Sequence, residues 1–208
     1  MFNLALLFVT AFSVGLCGAM IPGPLFLFTV SRVLKGSVST GVKIIFGHVL
    51  FEAIVVALIL VGLHPLLHSK ALITAISVVG GVALIVMGVI IFFRTSSATL
   101  SQAKRNNSFT YGAIAGGAFF SVVSPGFLIW WATIGTPLLL KSFLFGLVGV
   151  AVFLLGHWFA DVGWYWFVSY SVDRGKHLLS DRSFHTIMKG LALALIILGI
   201  FFGLNGVV

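Results

Sequence analysis

The chain has 208 residues, with 12 Lys or Arg, 4 Asp or Glu, a net charge of +8, 60% apolar residues and 21 Phe. So few charged side chains cannot solvate a globular surface, which excludes a water-soluble fold and leaves no material for a separate soluble domain. The basic residues fall between apolar runs instead of gathering on one polar face, so they read as membrane topology and not as a nucleic-acid surface.

A membrane-spanning helix needs about 20 largely apolar residues. Six such stretches are predicted: Asn3 to Val30, Gly41 to Leu63, Ala71 to Phe93, Tyr111 to Leu140, Ser142 to Tyr170, and Thr186 to Gly206. They predict an all-α, multi-pass protein in a lipid bilayer. The first run lacks a positively charged lead and is longer than a signal-peptide core, so it is expected to stay as the first span.

Positive charge collects in cytoplasmic connections. The connections after spans one (Arg32, Lys35, Lys43), three (Arg94, Lys104, Arg105) and five (Arg174, Lys176, Arg182, Lys189) hold all the Lys and Arg except Lys70 and Lys141. Both termini are therefore expected outside a cytoplasmic or inner membrane. Thr95 to Ser108 reads as a polar cytoplasmic connection, and His64 and His68, flanking Pro65, as residues of a solvated outer loop. Cys17 is the only cysteine, which excludes an internal disulfide and a Cys-based metal motif. No cofactor is expected.

The chain also repeats itself. Pro22-Gly23-Pro24 interrupts span one and span two carries Gly47-His48-Val49-Leu50-Phe51-Glu52, while Ser124-Pro125-Gly126 interrupts span four and span five carries Gly156-His157-Trp158-Phe159-Ala160-Asp161. Residues 1–103 and 104–208 thus read as two copies of a three-span unit. Because three is odd, the second copy enters the membrane from the opposite side and the repeat is inverted.

Proline within a helix removes a backbone donor and clashes with the preceding turn, and glycine beside it adds freedom. Such breaks are tolerated at membrane depth only inside protein or along a wet cavity, where freed amides and a half-helix N-terminus become a candidate site for an anionic group such as a carboxylate. Pro22, Gly23, Pro24, Ser124, Pro125 and Gly126 are therefore candidate solute or gating positions, with a purely structural kink as the alternative. Gly15-x-x-Gly18, Gly112 and Gly116-Gly117 read as close helix contacts.

Two of the four acids, Glu52 and Asp161, lie well inside predicted spans, each four residues after a histidine. A charge at bilayer depth costs at least about 2.5–3.5 kcal/mol, so these groups must face the interior, pair or stay neutral. The i, i+4 spacing puts His48 with Glu52, and His157 with Asp161, on one helical face, where each pair can share a proton. Proton coupling, binding of a divalent metal by all four residues, and interhelical hydrogen bonding are the three open readings. No nucleophile accompanies the pairs, so an enzyme is not expected. Trp164, Tyr165 and Trp166 read first as an interfacial belt, and Trp130, Trp131 and Trp158 as core or pocket-lining residues.

Gly18-Ala19-Met20-Ile21-Pro22-Gly23-Pro24, with Gly36, Gly41 and Gly47 after it, resembles the N-terminal signature of the LysE/RhtB amino-acid exporter family of the LysE superfamily. The run Ser124 to Gly135 resembles the Asn-Pro region of its archaeal-type members, with Ser124 and Gly126 where many members have Asn and Lys, and Leu25 where many have Asp. The resemblance implies a membrane exporter of amino acids or related small metabolites, driven by an ion gradient. It also keeps open divalent-metal export through His48, Glu52, His157 and Asp161, since the wider superfamily includes metal-ion exporters. A small-molecule or ion substrate, the bilayer and a further copy of the chain are the expected partners, and no nucleic acid is.

Overall fold

In the computed structural model the described residues are 3–63, 69–95 and 112–205, and every regular element among them is helical. The expectations placed on His64, His68 and on residues 96–108 fall outside that set. The first predicted span is two helices, α1 (Leu4–Ala19) and α2 (Pro24–Lys35), bent by 72°. The Asn3 side chain caps α1 by accepting from the Leu6 amide at 2.9 Å. Pro22 and Pro24 end it, and Pro24 then serves as the first residue of α2, where its missing N–H is harmless.

α3 (Val38–Leu58) starts at a Ser37 cap and runs into a π turn, Ile59–Leu63. α4 (Lys70–Thr95) completes the first half. The second half opens with α5 (Gly112–Val122), broken before α6 (Pro125–Trp130), which again begins on proline and is capped by Ser124. A π turn, Trp131–Gly135, leads to α7 (Thr136–Ser142), and after a tight turn follow α8 (Gly146–Gly175) and α9 (Asp181–Asn205).

The helices overrun the predicted spans at their polar ends. α3 begins at Val38 instead of Gly41, α8 continues to Gly175 and α9 begins at Asp181. Hydropathy marks where a helix meets lipid, whereas its hydrogen bonds continue into the polar zone. Arg32, Lys35, Lys43, Arg174 and Lys189 accordingly sit within helices instead of in loops. The guanidinium of Arg32 covers the Phe28 ring at 5.0 Å, and Arg174 covers Tyr170 at 5.4 Å.

Val38–Leu63, Lys70–Phe93 and Asp181–Leu204 are each long and apolar enough to cross a bilayer, and α1 with α2 passes as one bent span. The 54 residues from Pro125 to Leu178 form a continuous apolar helical stretch. Straight, it would reach about 80 Å at about 1.5 Å per residue, far beyond the roughly 30 Å of hydrocarbon. The chain turns at Gly146, whose φ of 61° suits glycine and strains a residue with a Cβ.

The main packing pairs join the two halves: α1 lies on α8, α5 on α3, and α4 on α9. Glycines let these backbones touch. A Cβ on Gly47 would strike the Ile114 carbonyl, one on Gly117 the Ile44 carbonyl, and one on Gly81 would come within 2.6 Å of the Gly199 oxygen. Thr29 and Ser169 inside the bundle are satisfied by their own helices, Thr29 donating to the Leu25 carbonyl at 2.8 Å and Ser169 to that of Tyr165 at 2.6 Å. Many large apolar side chains, among them Phe93, Leu147 and Ile197, point outward, as lipid as the surrounding solvent allows.

Two buried apolar clusters form the core. One gathers Phe28, Ile44, Ile45, Phe120 and Met188, and the other Leu7, Val55, Trp131, Leu139 and Phe153. Along α3, His48 and Glu52 lie between residues of the first cluster and residues of the second. His157 and Asp161 lie likewise on α8, between Phe153 and Tyr165. Gly117→Val should overpack the α3–α5 crossing by about 1–3 kcal/mol and lower the melting temperature in detergent. Gly163→Ala, where a Cβ meets nothing within 4 Å, should be neutral or slightly stabilising by helix propensity. An unchanged melting temperature for Gly117→Val would mean that these helices do not touch.

Candidate functional site

Each of α3 and α8 presents a histidine and an acid on one face, and the packing of α3 on α8 turns the two faces toward each other. All four side chains are buried: His48 is 8% exposed, Glu52 1%, His157 4% and Asp161 4%. Their polar atoms converge. His157 Nε2 stands 2.9 Å from Glu52 Oε1 and 3.4 Å from Asp161 Oδ2, and His48 Nε2 stands 3.8 Å and 3.6 Å from the same two oxygens. The sequence pairs each histidine with the acid on its own helix, yet the shortest contact runs between the halves, from His157 to Glu52.

Glu52 is held by three N–H groups. Trp131 Nε1 donates to Oε1 at 3.0 Å, Trp158 Nε1 donates to Oε2 at 2.7 Å, and His157 Nε2 donates to Oε1. An indole N–H only donates, so both carboxylate oxygens act as acceptors. Charge-assisted bonds of this kind offset the desolvation of a buried anion. Asp161 differs: its Oδ2 is buried and has no hydrogen-bond partner.

His48 is oriented by Ser121. The Ser121 hydroxyl gives its one proton to the Gly117 carbonyl at 2.8 Å, so at the 2.7 Å contact His48 Nδ1 must be the donor. That fixes the ring and aims Nε2 at the two acids. His157 is clamped between the Trp130 ring, stacked at 4.6 Å, and Phe153, parallel at 6.2 Å. Room for it comes from α1, where a Cβ on Gly15 would lie 2.5 Å from His157 Nδ1 and one on Gly18 would lie 2.9 Å from Trp130 Nε1.

A cavity of about 350 Å³ opens on this cluster, a size suited to a small molecule. His48, Glu52, His157 and Asp161 line it, and so do both helix breaks, through Pro22, Gly23 and Pro24 on one side and Ser124 and Gly126 on the other. Pro125 is buried as the first residue of α6. The candidate residues therefore fall in one place, although they are spread over more than a hundred positions of the chain.

A family model described as LysE type translocator matches residues 16–206. The chain belongs to the LysE type translocator family. No curated protein and no solved structure matches it. The matched region takes in both helix breaks and the whole His/acid cluster, so the cavity lies in the part of the chain that the family shares. As a LysE type translocator the protein is a multi-pass membrane transporter of small solutes and not an enzyme.

Sequence reasoning missed three supporting residues of this translocator. Trp131 and Trp158, read as core or pocket aromatics, are hydrogen-bond donors to Glu52, and Ser121 sets the His48 ring. The indoles were recognisable in principle, because an N–H at membrane depth needs an acceptor and acids are the scarce acceptors there. The Trp164–Tyr165–Trp166 run divides. Trp166 is 50% exposed, as an interfacial residue is, while Tyr165 is buried and lines the cavity.

Trp131→Phe should remove one of three donors to a buried anion, at a cost of about 1.5–3 kcal/mol, read as a fall in unfolding free energy in detergent. The same substitution made on Glu52→Gln should cost measurably less, because the charge that strengthens the bond is gone. Equal costs in both backgrounds would show that the indole acts by packing alone.

Proposed function

We propose that the chain is a secondary-active exporter of a small solute, an amino acid or related metabolite, coupled to the proton gradient. The observation that carries this reading is the convergence of two intramembrane acids and two histidines on one cavity bounded by both helix breaks. Ionisable groups inside a membrane are costly, and they mark solute or proton pathways. Broken helices beside such groups supply backbone polar groups and hinge positions for alternating access.

The same reading makes the chain two inverted units, residues 1–103 and 104–208, with six crossings and both termini outside. Its support is the reciprocal packing. The opening helix of the first half lies on the His/acid helix of the second (α1 on α8), and the opening helix of the second half lies on that of the first (α5 on α3). The excess of Lys and Arg in alternate connections supports the orientation.

A second reading has one observation in its favour. His48, Glu52 and Asp161 each offer a ligand atom, all within 4.8 Å of one another, a set that suits a divalent cation as cargo. Against it, both Glu52 oxygens are already engaged by N–H donors.

Glu52→Gln and Asp161→Asn should each lower proton-driven efflux from proteoliposomes by at least about a hundredfold, the scale of losing one partner in a buried charge cluster. Both variants should still insert and purify as monodisperse protein. Efflux at the wild-type rate from both would sink the reading.

A further inference from the structure

The two acids of the cavity are not equivalent. Glu52 has both oxygens committed to N–H groups of Trp131, His157 and Trp158, which fill three of its about four acceptor positions. Asp161 has a buried oxygen with no hydrogen-bond partner, 3.6 Å from His48 Nε2 and 3.4 Å from His157 Nε2. An unmet carboxylate oxygen inside protein is costly, and a donor-rich cation is what satisfies it.

The rest of the wall states what that cation must look like. Among the described residues lining the cavity there is no lysine and no arginine, so a solute carboxylate would meet no Lys or Arg side chain there. It would instead meet two acids. The remaining surface is mostly apolar and aromatic, with Phe120, Phe127 and the Trp130 ring beside small residues of the two breaks. Aromatic faces attract ammonium groups and cover apolar bodies.

Building on the export reading, we propose that Asp161 is the docking carboxylate for a primary ammonium group, that Glu52 is a fixed positioning anion, and that the transported class is amines with an apolar body, recognised without any contact to a carboxylate. A primary ammonium brings three N–H donors and no acceptor. It meets Asp161 Oδ2 directly, under the His48 ring that Ser121 holds in place.

Four ligands with the same branched apolar end test this with the purified full-length protein: isopentylamine, leucinamide, leucine and isocaproate, read by thermal stabilisation and calorimetric binding. Isopentylamine and leucinamide are expected to bind at least about tenfold more tightly than leucine, and isocaproate is not expected to bind. Asp161→Asn, nearly isosteric, should weaken isopentylamine by at least about tenfold while keeping the protein monodisperse.

Leucine and isocaproate binding as well as isopentylamine would overturn the proposal, since recognition would then run through the carboxylate. Export as such would stand if proteoliposomes still released leucine. Stabilisation by zinc chloride and by none of the four organic ligands would overturn both the proposal and the amino-acid reading. The wild-type ligand series decides the matter even if the Asp161 variant fails to fold.

Discussion

The structure depends on the burial of one carboxylate. Glu52 is 1% exposed in a bilayer-spanning helix, a position where an unpaired anion would cost several kcal/mol. What makes it tolerable is that three of its about four acceptor positions are filled by N–H groups, two indoles and an imidazole. All three donors lie between Trp131 and Trp158, in the second half of the chain, whereas Glu52 lies in the first. The bond set that stabilises the charge is therefore also the tie that fixes the α3–α8 crossing.

That tie requires close backbones, and the sequence supplies them through glycine. Gly47 and Gly117 allow α5 to lie against α3, and Gly15 and Gly18 leave space on α1 for the His157 and Trp130 rings. Without that space His157 could not stack on Trp130 while reaching Glu52. Small residues that look like packing alone thus set the position of the charged groups. The clusters on either side keep water from competing for Glu52, which strengthens each N–H bond to it.

Much of this was legible in the residues. The apolar runs gave the helical membrane fold, because few charges can be spared in a chain that meets lipid. The Pro22 and Pro125 breaks were legible because proline acts on its own helix, and the His/acid spacing because i, i+4 neighbours are fixed by helix geometry. The cross-half bond from His157 to Glu52 was not. A helical repeat says which residues share a face, and only packing says which face meets which. Trp158 was hidden for a related reason: it follows His157 directly, so it points about 100° away around α8, and only the length of the indole brings its N–H to the far oxygen of Glu52. Helix ends such as Asp181 and Gly175 were missed because hydropathy falls before hydrogen bonding stops.

A bundle tied at its centre can change shape only where it is not tied. The helices that carry the His/acid cluster, α3 and α8, are joined by charge-assisted bonds, and parting them would strand Glu52 in an apolar medium. α2 is fixed differently. Its carboxyl end is held from outside the cavity by Lys176, 4% exposed, whose Nζ donates to the carbonyls of Val33 and Gly36 and pairs with Asp173. Between that clamp and the bundle centre lies the Pro22–Pro24 break, where neither proline has an N–H to give to a helix. The second break likewise starts its next helix on a proline, and there the Ser124 side chain caps that helix. Backbone freedom is thus concentrated at the two walls of the cavity, and the charge cluster between them is the part that physics least permits to move.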